Sequence, residues 1–350
     1  MMADVPHAME EVTPDWLTRV LSRDIPGLVV QGMEVVGFIH GASTKARVKL
    51  RTNRNDAPVS LIVKAGFEPH SHLMRAMHDN EMHAYRDLIP TLEVNAPRCF
   101  FADRDAAGHS VVLLEDLDQR EARFLSLLEP IAFDLAARFL EALARVHARW
   151  WGAERLRDDR FAWTPDTSEA EFPHYFAILG DSEQFAAFEA LPRCAAMPRQ
   201  LLDPARVRRA HFAMSHWHRG EPMVVNHGDM HLGNLYTDTD GTPGLLDWQP
   251  RIGPWSLDVS YFIIGGLDLA DRRRWEGALL QHYLLALRAQ GVDAPSFEQG
   301  WDAYRRDVPW GLLIWMLNST QFQAEARNTA AATRFAMAMI DHDVFNLLGV

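Results

Sequence analysis

The sequence predicts an α+β protein of two lobes: a small first lobe built on an antiparallel sheet with one helix, and a larger, mainly helical second lobe. Short strand-like runs separated by turn residues fill residues 29–115, and long helical apolar patterns fill most of the chain after Asp118. Size agrees, since 350 residues at 48% hydrophobic content can bury a large core and divide into two domains. The change of character near Glu115–Asp118 sets the expected lobes at 1–117 and 118–350, with a cleft between them.

Each element has a local reason. Thr13-Pro14-Asp15 caps a short helix that runs to about Ser22, with proline at its first position. A valine-rich strand covers 29–39, and the glycine-containing stretch from Gly37 to Thr44 reads as a turn. Arg47 to Arg51 alternates charged with apolar residues, Asn53 to Pro58 is a hairpin loop, and Val59 to Lys64 is the returning strand. Apolar positions spaced as on one helix face then run from Leu73 to Leu88. Strands at 98–103 and 110–115 flank the turn from Asp105 to Gly108. Helical patterns occupy 131–151 and 204–219, a strand-rich island occupies 223–247, and most of the remainder is helical.

Composition excludes several classes of partner. A formal charge of −12 opposes nucleic acid or an anionic membrane surface, both of which need a basic footprint. No run of about 18–20 apolar residues is present to span a bilayer, and residues 1–12 carry acids where a secretory signal has a basic n-region. Cys99 and Cys194 are too few for a disulfide framework, which suits a reducing, cytoplasmic setting. Lysine occurs only at Lys45, Lys49 and Lys64, the other 32 basic residues being arginine.

The most informative stretch runs from Val225 to Gln249. Asp240-Gly241 between two strand-like runs signals a hairpin. A register centred there sets Asn234 directly opposite Asp247, with Cβ atoms about 5 Å apart. Two oxygen-bearing side chains converging in this way make half a site for a hard cation such as Mg2+. Asp229, five residues before Asn234, enters from the preceding loop. Asp247 lies between Leu245-Leu246 and Trp248, where a desolvated carboxylate needs a partner.

His227-Gly-Asp229 with Asn234 has the Asp-x-x-x-x-Asn spacing of the kinase catalytic loop. The whole pattern, His-Gly-Asp-x-His-x-x-Asn followed by Asp247-Trp-Gln249, resembles the aminoglycoside phosphotransferase and choline-kinase-like family. The run from Arg251 through Asp258 to Phe262 is similar to its ecdysteroid-kinase-like branch. The likeness covers roughly residues 30–265, and it implies a bilobal protein-kinase-like fold.

The resemblance also implies roles. Asp229 would orient an acceptor hydroxyl and take its proton as the catalytic residue, and Asn234 and Asp247 would hold Mg2+. Lys64, at the end of an apolar strand, would contact the phosphates of ATP or GTP, and Glu81 from the next helix would place it. The turn ending in Ser43 and Thr44 would cover the phosphates, and the hinge at Glu115 and Leu117 would pair with the base. Asp258 and His147 resemble scaffold positions. Only ten residues separate Asp247 from Asp258, too few for a peptide-docking activation segment, so the expected acceptor is a small molecule bearing a hydroxyl. Acids between Asp158 and Glu189 (Asp159, Asp166, Glu169, Glu171, Asp181 and Glu183) suit an amine-bearing acceptor such as an aminoglycoside or choline. The concentration of tryptophans at and after Trp150 suits an apolar, sterol-like one. Two other readings compete: a metallophosphoesterase using Gly228-Asp-Met-His231, and a non-catalytic binding protein on the kinase scaffold.

Overall fold

The computed structural model describes residues 5–39, 43–152, 162–165, 173–195 and 197–350, and it divides into two compact units. The first comprises residues 1–123 together with 237–249, and the second comprises 124–236 and 250–350.

In the first unit, helix α1 (Pro14–Leu21) is capped by Thr13 Oγ1, which accepts from the Trp16 N–H at 3.2 Å. Five antiparallel strands follow: β1 (Val30–Ile39), β2 (Thr44–Thr52), β3 (Ser60–Ala65), β4 (Cys99–Arg104) and β5 (Ser110–Glu115), in the order β1-β2-β3-β5-β4. Side-chain alternation divides the sheet's two faces. Leu61, Val63, Val111 and Leu113 pack with Trp16, Leu17 and Val20 of α1. On the other face, Ile62, Val112 and Leu114 meet Met82 of α2 (Arg75–His83) and Tyr85 of the π-turn that follows it. Lys64, two residues after Ile62 and in register with Val112, therefore emerges on the α2 face.

Gly37 does not open a turn. A β-bulge takes up Val36 as its extra residue, Gly37 pairs in the ladder with Arg47, and β1 continues to Ile39 in register with Lys45. The expected turn thus shrinks to a shorter connection whose His40, Gly41 and Ala42 lie outside the described residues. The predicted helix at 73–88 is composite: a 3₁₀ turn (Pro69–Met74), α2, and the π-turn Ala84–Leu88.

The second unit begins within the two-residue strand β6 (Arg123–Phe124), and its long helix α3 (Phe133–Arg149) packs against α9 (Leu269–Ala289). Helices α4 (Pro173–Gly180), α5 (Ser182–Glu189), α6 (Pro192–Ala195) and α7 (Pro204–His218) follow. Strand β7 (Met223–Asn226) leads to a 3₁₀ turn at Leu232–Asn234, and then come β8 (Leu235–Thr237) and β9 (Pro243–Leu245). Strand β10 (Arg251–Pro254) pairs antiparallel with β7, Arg251 opposite Asn226. The buried α8 (Ser256–Gly266) precedes α9 (Leu269–Ala289), α10 (Phe297–Arg306), α11 (Val308–Leu317), α12 (Glu325–Asp341) and α13 (Val344–Leu348). No helix among the described residues is long and apolar enough to cross a membrane.

The hairpin between β8 and β9 corrects the expected register. The Asp238 N–H donates to Thr242 O at 3.0 Å, Gly241 N donates to Asp238 O at 2.8 Å, and Gly241 has φ +82°. This is a three-residue loop with a glycine bulge, which shifts the ladder by one residue from a register centred on Asp240-Gly241. Asn234 belongs to the 3₁₀ turn before β8, and Asp247 lies beyond the end of β9, so neither is a ladder residue.

Candidate active site

Within the first unit, four charged side chains converge. Lys64 Nζ donates to Glu81 Oε1 at 2.5 Å and to Asp247 Oδ1 at 2.8 Å, while Lys45 Nζ donates to Asp247 Oδ2 at 2.6 Å. The expected pair Lys64–Glu81 is thus formed, and it is deeply buried, at 6% and 3% exposure. Two ammoniums and two carboxylates balance in charge, which permits full burial of Lys64 and Glu81 beside the half-buried Lys45 and Asp247.

Burial alone would lower the Lys64 pKa, but the carboxylates of Asp247 and Glu81 outweigh it and hold the ammonium charged well above its usual range. Burial likewise raises the Asp247 carboxyl, yet Lys45 and Lys64 together press it far below the ordinary carboxylate range. Asp247 holds its position with φ +55°, a left-handed conformation that costs a non-glycine residue about 1–3 kcal/mol.

The other expected nucleotide residues fall around this cluster unevenly. Ser43, buried, lines a small cavity with Lys64, Glu81, His78 and Ser110. Thr44, in register with Ala65, directs its hydroxyl to Glu68 Oε1 at 3.4 Å. Glu115 and Leu117 lie toward the opposite end of β5. Glu115 is in register with Leu61, three positions from the Lys64–Val112 pair, or about 10 Å along the strand. The Glu115 N–H donates to Arg98 O, its carboxylate takes Arg98 N and Arg120, and Leu117 is buried at the start of a 3₁₀ turn.

In the second unit, residues 227–234 form a loop held from below. Asp258 of α8 accepts from His227 N at 2.5 Å and Gly228 N at 3.1 Å, and lies 3.4 Å from His147 Nε2. His147 in turn meets Tyr283 OH at 2.8 Å. Gly228 has φ +85°, which gives the turn its direction without steric cost. The expected scaffold duty of Asp258 and His147 corresponds to this clamp.

On the loop, Asn234 Nδ2 donates to the Asp229 carbonyl and to Asp229 Oδ2, both at 2.9 Å, while Tyr261 OH reaches Asp229 Oδ1 at 3.4 Å. The Asp229 carboxylate is fixed in orientation while one third of the side chain stays exposed. With its amide nitrogen engaged, Asn234 turns its Oδ1 the other way, an oxygen suited to a hard cation. His231 is committed to the loop: its Nδ1 accepts from Gly233 N at 3.0 Å. Among the described residues no three His, Cys, Asp or Glu side chains gather as a metal-binding group.

Four neighbours escaped the sequence reading. Lys45 was visible only as one of three lysines. Tyr261, Tyr175 and Arg251 surround Asp229 in the second unit. Burial first and Asp229 second push the Tyr175 phenol up to about 12. The Arg251 guanidinium, stacked 5.0 Å from the Trp310 ring centroid, shares its field with Asp229 and Asp258. Asp159, Asp166, Glu169 and Glu171 lie outside the described residues, and Asp181 is spent on capping α5. Trp248, Trp255 and Trp315 are fully buried core residues.

Residues 35–305 match the model of the phosphotransferase enzyme family. No curated protein matches the chain. Solved structures are similar across nearly the whole length. Choline kinase from Cryptosporidium parvum Iowa II aligns with TM-score 0.57 at 12% identity, covering 94% of this chain and 97% of that one. Ethanolamine kinase from Plasmodium vivax aligns with TM-score 0.56 at 11% identity, covering 97% and 90%. APH(2″)-IIIa, solved with GDP and kanamycin, gives 0.54 at 13% identity, covering 93% and 98%. These likenesses carry the fold, a bilobal kinase-like one.

Proposed function

This chain belongs to the phosphotransferase enzyme family, and we propose that it transfers the γ-phosphoryl group of ATP or GTP to a hydroxyl of a small molecule. The observation that carries the reading is the buried Lys64, held between Glu81 and Asp247. A charged lysine fixed at a strand end by a helix glutamate is a preformed contact for phosphate oxygens, and structural relatives solved with GDP, AMP or ADP accord with a nucleotide at this fold.

The proposed roles follow from what each side chain already does. Phosphoryl transfer has a loose transition state, so positioning and charge supply most of the acceleration. Asp229, oriented by Asn234 and Tyr261, accepts the acceptor's proton and aligns its oxygen. Lys64 neutralises phosphate charge, and Glu81 keeps it in place. Asp247, its carboxyl pressed far below the ordinary range, and Asn234 through its Oδ1 are each proposed as an oxygen donor for Mg2+, an ion that would shield phosphate charge. Ser43 and Thr44 are proposed to approach phosphate oxygens, and the backbone at Glu115 and Leu117 to flank the base.

Around Asp229, Tyr175 and Tyr261 are desolvated phenols, and the Arg251 charge is matched by Asp229 and Asp258, so the acceptor class is for experiment to decide. The test is a screen reading ADP release in the presence of Mg2+, with aminoglycosides, choline, macrolides, sterols and sugars in separate wells. Phosphorylation of one alcohol supports the function. Nucleotide binding without turnover on any class would support a binding protein on the same scaffold instead.

A further inference from the structure

Lysine is nearly absent from this chain, yet two of its three copies sit side by side on neighbouring strands and share one acid. Lys45 on β2 is the register partner of Lys64 on β3, so both side chains leave the sheet on the same face. They take different oxygens of one carboxylate, Asp247 Oδ2 and Oδ1. Like charges directly opposite each other on a sheet repel, and the pair persists because Asp247 lies between them. Their surroundings differ: Lys64 is sealed against Glu81, whereas the Lys45 side chain keeps 29% of its surface exposed and pairs with Asp247. Elsewhere on the same face of β2, Arg47 is used to pair with Asp116 and Asp118. The ammonium is the compact cation, suited to a point contact with a phosphate oxygen, and guanidinium is not its equivalent there.

We propose that Lys45 is a second phosphate-binding lysine, paired with Asp247 until a nucleotide arrives and then turned to its phosphate oxygens. The inference rests on the proposed nucleotide site at Lys64 and adds a positioning and affinity role for a side chain outside the Lys64–Glu81 pair. Engagement of Asp247 by a cation removes the acid that holds Lys45, and the exposed ammonium then has phosphate as its available counter-charge.

The experiment uses the full-length protein and an acyl phosphate of ADP, a reagent that transfers its acyl group to a lysine amine lying beside the bound phosphates and releases ADP. Peptide mass spectrometry locates the label among only three lysines. Labelling of Lys45, with or without Lys64, that excess ADP suppresses is the expected result. Label on Lys64 alone overturns the role of Lys45 while leaving the nucleotide site intact, and label on neither overturns both. Calorimetry on variants supplies the second readout. Lys45→Met is expected to weaken ADP about tenfold or more, the change carried by one charge-assisted hydrogen bond, and to leave adenosine, which has no phosphate, unchanged. An equal loss for adenosine would mean that Lys45 only supports the sheet.

Discussion

At the scale of single residues, the site makes two sharp demands. Asp229→Asn keeps the shape of the side chain and removes the proton acceptor. We expect kcat to fall by 10²- to 10⁴-fold while the dissociation constant for ADP, read by calorimetry, stays within about threefold. Turnover close to the parent value would remove Asp229 from the chemistry. The buried pair makes a different demand. Lys64→Met leaves Glu81 and Asp247 with less positive charge in a sealed setting, so urea unfolding should report a loss of about 3–5 kcal/mol. Adding Glu81→Leu should recover much of that stability and none of the activity, which separates the structural duty of the pair from its chemical one. Much of this was legible in the sequence. A lysine at the end of an apolar strand, and a glutamate on an otherwise apolar helix face, each needed a partner and found the other. Lys45 was not legible in the same way, because its role depends on a register and on an acid 202 positions away.

At the scale of elements, the sequence announced strands and helices better than it announced how turns close. The hairpin after β8 was visible from Asp240-Gly241, yet loop length decides register, and a glycine at φ +82° selects the three-residue form over the two-residue one. The clamp under residues 227–234 joins α3, α8 and the loop through Asp258. Burial works against its ionisation, but His147, His227 and the Gly228 N–H outweigh burial and hold its pKa below the ordinary value. A depressed carboxyl contributes stability in full above the unfolded pKa of about 4 and loses it as pH falls through the folded value. Chemical unfolding at a series of pH values should therefore show stability dropping below about pH 4, with a shallower slope in Asp258→Asn, which starts lower at pH 7. Equal slopes in the two proteins would contradict the clamp. Helix packing gives a further demand. A Cβ on Gly311 of α11 would stand 2.1 Å from the Phe335 ring of α12, a fully buried side chain. Gly311→Ala should cost about 1–3 kcal/mol in thermal or urea unfolding, and Phe335→Leu in the same background should restore part of it.

At the scale of the molecule, the chain enters the first unit twice, through residues 1–123 and again through 237–249. The sequence shows the β-rich start and the helical remainder, but a hairpin inside a helical region has the same local pattern whichever body it packs with. Only contacts far apart in the chain decide it: Leu245 N donating to Asn95 O at 2.9 Å, Asn95 and Arg120 bonded to Asp238, and Asp247 bonded to both lysines. A fragment of residues 1–123 alone would therefore keep Lys45, Lys64 and Glu81 with two positive charges against one negative, and would leave Arg120 without Asp238. Joining 237–249 to that fragment through a flexible Gly/Ser linker restores the balance. We expect the joined fragment to unfold in one cooperative transition at a higher temperature than the bare fragment, and only the joined form to bind ADP by calorimetry. If the two fragments melt together and bind alike, Asp247 contributes nothing that the first 123 residues lack, and the four-charge cluster is an accident of proximity rather than the basis of the nucleotide site.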